Sequence, residues 1–176
     1  MKTLLLLRHA KSSWDDPSQD DHERPLDARG RDTARRMGGA MRTRGLVPDL
    51  VLCSTARRTV ETLELLLPAL EATPETRFER ALYLADWPKL LDAIHAVPGR
   101  TRALMLVGHN PGVEQLAIAL GLHPRDAAER SRAEALAKKY PTGALAVLQF
   151  PGPGWKSVKP GTGRLAEFLR PKDVVA

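Results

Sequence analysis

Short apolar runs alternate with stretches of helical periodicity along most of this 176-residue chain, and no other feature restricts its fold as much. The runs are Leu4–Leu7, DLVLCS over Asp49–Ser54, Ala103–Val107 and Ala144–Phe150. Unbroken apolar runs of this length suit strands buried on both faces. Between them, Asp27 is placed to cap a helix that reaches about Arg44 and ends at Gly45. Thr55–Leu70 sets Val60, Leu63, Leu66 and Leu67 on one helical face, with Pro68 expected to end or bend it. Asp86 caps a third helix, with Pro88 in its first turn, running to about Val97. Pro111–Leu120 and the polar Arg125–Lys139 are the remaining helices, the latter an accessory segment. A weaker strand is expected at Phe78–Leu84, and candidate edge strands at Lys156–Val158 and Leu165–Leu169. Strands separated by helices pack as α/β layers. The expected architecture is a three-layer α/β/α sandwich around a mainly parallel central sheet, in one domain spanning residues 1–176.

Composition narrows the setting. Hydrophobic residues make up 43% and charged residues 27% of the chain, ordinary for a globular protein. The run Leu4–Leu7, broken by Arg8, is shorter than the roughly 7–15 residues of a secretory core, and nothing approaches the roughly 18 of a membrane span. One cysteine, Cys53, rules out an intrachain disulfide, and the expected location is cytoplasmic. The net charge of +6 favours anionic partners. Nucleic acid is a poor candidate, because aromatics are 5% of the chain and no basic run is interleaved with them.

Ligands of open α/β sheets bind beyond the carboxyl ends of the strands. The first strand ends in Arg8-His9-Ala10-Lys11, the second in Ser54-Thr55-Ala56-Arg57-Arg58-Thr59, and the Ala103–Val107 strand in Gly108-His109-Asn110-Pro111. Three buried strands thus spill two histidines and at least two arginines at one edge. Arginine forks bind phosphate oxygens through paired, charge-assisted hydrogen bonds. One histidine can attack phosphorus through a ring nitrogen, and the other can donate to an oxygen whose charge grows in the transition state.

RHA at the first strand end, STARRTVET at the second and GHNP at the next resemble the histidine phosphatase, or phosphoglycerate mutase-like, superfamily. RHAKSSW, RPLDARG (Arg24–Gly30) and FLRPKDV (Phe168–Val174) are more narrowly similar to its short SixA-type phosphohistidine phosphatases. The likeness runs through nearly the whole chain. It implies a phosphoglycerate mutase-like fold and a metal-independent phosphatase without cofactor. It also implies His9 as nucleophile, Arg8 and Arg58 as phosphate-binding arginines, and His109 as the second pocket histidine. The spacing from Ser54 to Arg58, Glu61 and Thr62 selects Arg58 over Arg57, which reads as a solvated charge. Lys11 and Asn110 are candidate substrate contacts or loop closers. Larger members carry a glutamate, used as general acid, soon after the third strand. This chain has ALYLADW (Ala81–Trp87) there, which suits a phosphohistidine substrate, whose imidazole leaves without needing an enzyme acid. Asp15, Asp16, Asp21 and Asp86 remain candidate proton donors.

The implied substrate is phosphohistidine on a signalling or phosphotransfer protein. The alternatives are a small phosphate ester, or a phospho-binding module without turnover, which would need no nucleophile. Cys53 as a cysteine-phosphatase nucleophile fails on spacing, since the fifth intervening residue is followed by Thr59, one beyond Arg58. GTGR (Gly161–Arg164) lacks the end of a phosphate-binding P-loop. No His or Cys spacing marks a metal site. His22, His95 and His123 read as structural. Arg31, Arg35, Arg36, Arg42 and Arg44 read as a solvated helix face that also offers itself to an acidic partner.

Overall fold

The computed structural model describes residues 1–121 and 123–174. Six strands form one sheet: β1 (Lys2–Arg8), β2 (Leu50–Ser54), β3 (Glu75–Glu79), β4 (Ala103–Gly108), β5 (Leu145–Phe150) and β6 (Arg164–Leu169). Their spatial order is β3-β2-β4-β1-β5-β6. β3, β2, β4 and β1 pair in parallel, and only β5 runs against both of its neighbours. Five helices cover the sheet: α1 (Ala28–Thr43), α2 (Arg57–Leu70), α3 (Trp87–His95), α4 (Gly112–Leu120) and α5 (Ala127–Lys138).

The apolar run of β1 shows why this chain needs two helical layers. Leu4 and Leu6 face one core, with Leu90 and Ile94 of α3 and Val113, Leu116 and Leu120 of α4. Leu5 and Leu7 face the other, with Met37 and Met41 of α1 and Leu63, Leu66 and Leu70 of α2. Side chains alternate along a strand, so an all-apolar strand needs apolar cover on both faces. α1 and α2 lie close together because Gly38 has no side chain: a Cβ there would stand 2.3 Å from the Leu66 carbonyl oxygen. Asp27, Asp86 and Asp126 cap α1, α3 and α5 by accepting from the amides of Gly30, Lys89 and Glu129. α1 gives way at Gly45, whose φ of +67° is a left-handed conformation that glycine adopts without steric cost.

Four expectations need correction. The third strand lies at Glu75–Glu79, and Phe78–Leu84 is mostly a short 3-10 turn (Arg80–Leu82) and loop. β3 is an edge strand with no apolar run, and Phe78 is half exposed at 51%. Lys156–Val158 is not a strand but part of a 3-10 turn (Trp155–Ser157) that seats the buried Trp155, whose indole donates to the Thr101 carbonyl. α2 starts at Arg57, two residues after Thr55. Pro68 does not stop α2 at the residue before it: it sits in the last turn, the helix runs two residues further to Leu70, and it closes at Glu71 in a left-handed conformation (φ 60°). Among the described residues, no helix is long and apolar enough to cross a membrane.

Candidate active site

β2, β4 and β1 are adjacent and parallel, so their carboxyl ends meet at one edge. Arg8 is level with Gly108 in the β1–β4 register, which sets His9 and His109 side by side just beyond it. The His9 amide extends the pairing by donating to the Gly108 carbonyl at 3.1 Å. The two imidazole centroids are 5.3 Å apart. Because β5 is antiparallel, its start reaches the same edge and brings Tyr140 to Thr142 against the site. An open cavity of about 290 Å³ results, lined by Arg8, His9, Arg58 and His109 together with Lys11 and Asn110. Ser12, Trp14, Arg24, Leu84 and Thr142 complete its wall. All six residues selected from the sequence therefore meet in one place.

Each imidazole is held in a definite orientation. His9 Nδ1 lies 2.7 Å from the Ala10 carbonyl oxygen, which accepts a proton only from an Nδ1–H. Nε2 then carries the lone pair. Burial pushes the His9 pKa down to about 3; the Ala10 hydrogen bond opposes this, and the charges of Arg58, Arg8 and Arg24 reinforce it. His109 Nε2 is 2.8 Å from Ser54 Oγ, and its Nδ1 is 3.3 Å from Arg58 Nη2. Since a guanidinium only donates, His109 Nδ1 accepts and Nε2–H donates to Ser54. Burial, then His9 and Arg58, lower the His109 pKa to about 3 as well. Both rings are thus neutral near pH 7.

The two adjacent arginines part company. Arg58 is 3% exposed. It donates through Nη1 to the Asp21 carbonyl at 2.7 Å and through Nη2 to Asp21 Oδ2 at 3.0 Å. Arg57 is solvated and paired with Glu61 at 2.8 Å along the helix. The other motif residues are structural ties. Thr62 Oγ1 accepts from the Ala10 amide at 3.0 Å and donates to the Arg58 carbonyl at 2.7 Å. Glu61 accepts from the Leu26 amide at 2.8 Å. Gly30 in RPLDARG lets α1 close on the loop after β1, since a Cβ would stand 2.0 Å from the Lys11 carbonyl oxygen. Tyr140 holds the opposite wall: its carbonyl accepts from Arg8 Nη1 and from the Asn110 side-chain amide, each at 3.0 Å. Asn110 is thereby engaged in closing its loop, while Lys11 is exposed at the rim.

Among the candidate acids, only Asp21 reaches the site. Burial opposes its ionisation, but hydrogen bonds from Tyr83 and Arg24 and the charge of Arg58 outweigh that and hold it at about 2. It is ionised near neutral pH and stands as counter-ion to Arg58 and Arg24. Asp86 caps α3, and Asp16 caps its own turn at Ser18. From ALYLADW, Leu84 reaches the rim and Tyr83 donates to Asp21. Sequence reasoning named Asp21 only as a candidate acid and missed its pairing with Arg58; it also missed Tyr83, Tyr140 and the Arg24–Trp14 stack, in which the guanidinium lies 3.4 Å from the ring centre. RPLDARG did contain Arg24, but nothing local marks Asp21 among its acidic neighbours. Cys53 is fully buried on β2 with its thiol pushed up to about 12, which removes it as a nucleophile. His95 Nε2–H donates to the Val158 carbonyl at 2.7 Å, as a structural residue does. His22 comes nearer the site than expected, with Nε2 2.9 Å from Thr55 Oγ1 and its ring edge-on to Tyr83.

The low imidazole pKa values have a consequence for stability. In the unfolded chain both histidines titrate near 6.5, and in the folded protein near 3. Between those values the unfolded state binds more protons, so stability rises with pH. The contribution is complete above pH 6.5 and is lost as the pH falls toward 3. Urea midpoints measured across this window should fall with acid, and more shallowly in His109→Asn. Equal slopes would contradict the assignment of neutral, buried rings.

Comparison with known proteins agrees with this geometry. The sequence model of the histidine phosphatase superfamily (branch 1) matches residues 4–87, which hold His9 and Arg58. An uncharacterised Mycobacterium tuberculosis protein is 37% identical over 167 residues, covering 94% of this chain and all of that protein. A crystal structure of a SixA protein from Agrobacterium tumefaciens superposes with a TM-score of 0.79 at 30% identity, over 96% of this chain and 97% of that one. The protein histidine phosphatase SixA complexed with tungstate shares the fold, with a TM-score of 0.77 at 20% identity over 98% and 99% of the two chains. With the strand-end motifs, the paired imidazoles and these relatives in agreement, the chain belongs to the histidine phosphatase superfamily, among its short SixA-type members.

Proposed function

We propose that this protein is a metal-independent phosphohistidine phosphatase that works through a phosphohistidine intermediate on His9. The observation that carries this reading is the His9 tautomer: Nδ1–H is fixed on the Ala10 carbonyl, so the lone pair of Nε2 remains for phosphorus.

The chemistry balances without an enzyme acid. Nε2 forms the new P–N bond as the substrate P–N bond breaks. The substrate imidazole, protonated on its other nitrogen, leaves neutral. Because the proton stays on Nδ1, phospho-His9 is an N-phosphoimidazolium, and it too departs neutral when water attacks. The water's proton ends on inorganic phosphate or in solvent. Arg8, Arg58 and His109 hold the three phosphoryl oxygens. Without substrate His109 Nδ1 accepts from Arg58; an incoming dianion reverses the local charge and lets Nδ1 take a proton from solvent and donate it in a hydrogen bond to a phosphoryl oxygen. Lys11 and Asn110 stand at the rim. The ionised Asp21 and the apolar Leu84 leave no carboxylic acid beside the leaving group, which disfavours alcohols and sugars.

Phosphate release from a phosphohistidine peptide, compared with release from sugar phosphates and phosphoserine peptide, tests the reading. kcat/KM for phosphohistidine should exceed the others by about 10²-fold or more, the usual value of a missing general acid. A preference for a sugar phosphate would reassign the protein to small esters, and binding without release would make it a phospho-binding module.

A further inference from the structure

A second cavity, of about 750 Å³, opens beside the catalytic pocket and shares Lys11 and Thr142 with it. Four separate parts of the chain build it: the nucleophile loop, one face of α1, the end of α5 with the following loop, and the C-terminal stretch through Lys172. Its charge is almost wholly positive. Arg36 is paired with Asp32 at 3.0 Å and Arg170 with Asp173 at 2.8 Å. Lys11, Arg29, Lys138, Lys139 and Lys172 have no acidic partner among the described residues. Lys138 and Lys139 complement the carboxyl end of α5, as cations do there. That role does not account for Lys11, Arg29 and Lys172 facing the same space from other elements.

We propose that this groove docks an acidic, carboxylate-bearing segment of the phosphoprotein whose phosphohistidine enters the pocket. The inference rests on the phosphohistidine reading above and adds how the substrate is selected. The chemistry of the cations favours carboxylates on a protein over a small polyphosphate. A compact phosphate calls for converging arginine forks. Here two of the three arginines are held by the protein's own aspartates, and the unpaired charges are mostly lysines, point charges on flexible stems spread along the groove. Such an array suits a row of carboxylates. Its position at the mouth of the site lets docking steer the phosphoryl group inward.

Two phosphohistidine peptides, one flanked by glutamates and one by glutamines, test this on the wild-type protein and on Lys138→Glu/Lys139→Glu/Lys172→Glu. These three side chains are exposed and lie outside the catalytic pocket. Wild type should favour the glutamate peptide by about tenfold in kcat/KM at low salt, through KM, as steering by surface charge does. The preference should shrink with added salt. The triple variant should lose it and keep wild-type kcat/KM on the glutamine peptide. Equal handling of both peptides by wild type, or a preference that survives in the variant, would overturn the proposal. So would tripolyphosphate binding that the variant loses while the two peptides are handled alike, since the groove would then serve a small polyanion. If wild type hydrolyses neither peptide, the phosphohistidine reading fails instead. The groove is then read by fluorescence anisotropy of the unphosphorylated peptides, where tighter binding of the glutamate peptide supports docking and equal binding overturns it.

Discussion

His9→Ala is expected to accept no phosphoryl group and to lose turnover entirely within detection. Attack through Nε2 must pass through phospho-His9, and no neighbouring side chain can substitute for that nitrogen. His109 has both nitrogens engaged, by Ser54 and Arg58, and Cys53 is sealed inside the sheet. Radiolabel from a phosphohistidine donor should appear on the wild-type chain after an alkaline quench and vanish after acid, because a protonated phosphoimidazole is labile. The variant should still bind the donor, since Arg8, Arg58 and His109 remain. Label mapped to Cys53 or to an aspartate, or near-normal turnover by His9→Ala, would overturn the mechanism while leaving phosphatase activity intact.

Arg58→Ala and Arg57→Ala should differ by orders of magnitude although the residues are neighbours. Arg58 is buried, touches His109 and is aimed into the cavity, so its loss removes a fork that stabilises transition-state charge and should cost about 10²–10³-fold in kcat. It also strands Asp21, whose low pKa depends in part on Arg58; a rise in that pKa, followed by NMR, would report the loss independently of activity. Arg57 forms one exposed ion pair with Glu61, of the kind worth about 0.3–0.5 kcal/mol, and its removal should change kcat by no more than about twofold. The reverse ranking would place the phosphate-binding arginine one residue earlier.

The elements legible in the sequence were those whose information is local. Leu4–Leu7 announces a doubly covered strand because every residue in it is apolar, and the two cores confirm that demand. Asp27 and Asp86 announce their helices because a cap lies beside the amides it satisfies. β3 was misplaced because an edge strand pairs on one side only and needs no apolar run; its one aromatic, Phe78, is half exposed. Pro68 marks the end of α2 only to within its last turn, because a single lost hydrogen bond there costs little of a helix held by Leu63, Leu66 and Leu70. In the site, His9, His109 and the two arginines were legible because strands deliver them to a common edge. Tyr83, Tyr140 and the pairing of Asp21 with Arg58 were not, since each acts on residues far away in the chain. Arg58 and Asp21 are separated by a helix and a strand, and no local pattern pairs them.

One hydroxyl described above sets how the site responds to change. Thr62 Oγ1 accepts from the amide of Ala10, next to His9, and donates to the carbonyl of Arg58. The loop that carries His9 and the backbone that carries Arg58 are therefore fastened to a common pin. A displacement of α2 carries both along, so their mutual spacing survives strain that would pull two independently mounted groups apart. Damage at the pin has the opposite character: losing the hydroxyl frees both partners at once, and the combined penalty of further substitutions at either end falls below the sum of their separate penalties. This edge of the sheet behaves mechanically as one part, tolerant of drift in the framework and brittle at a single atom.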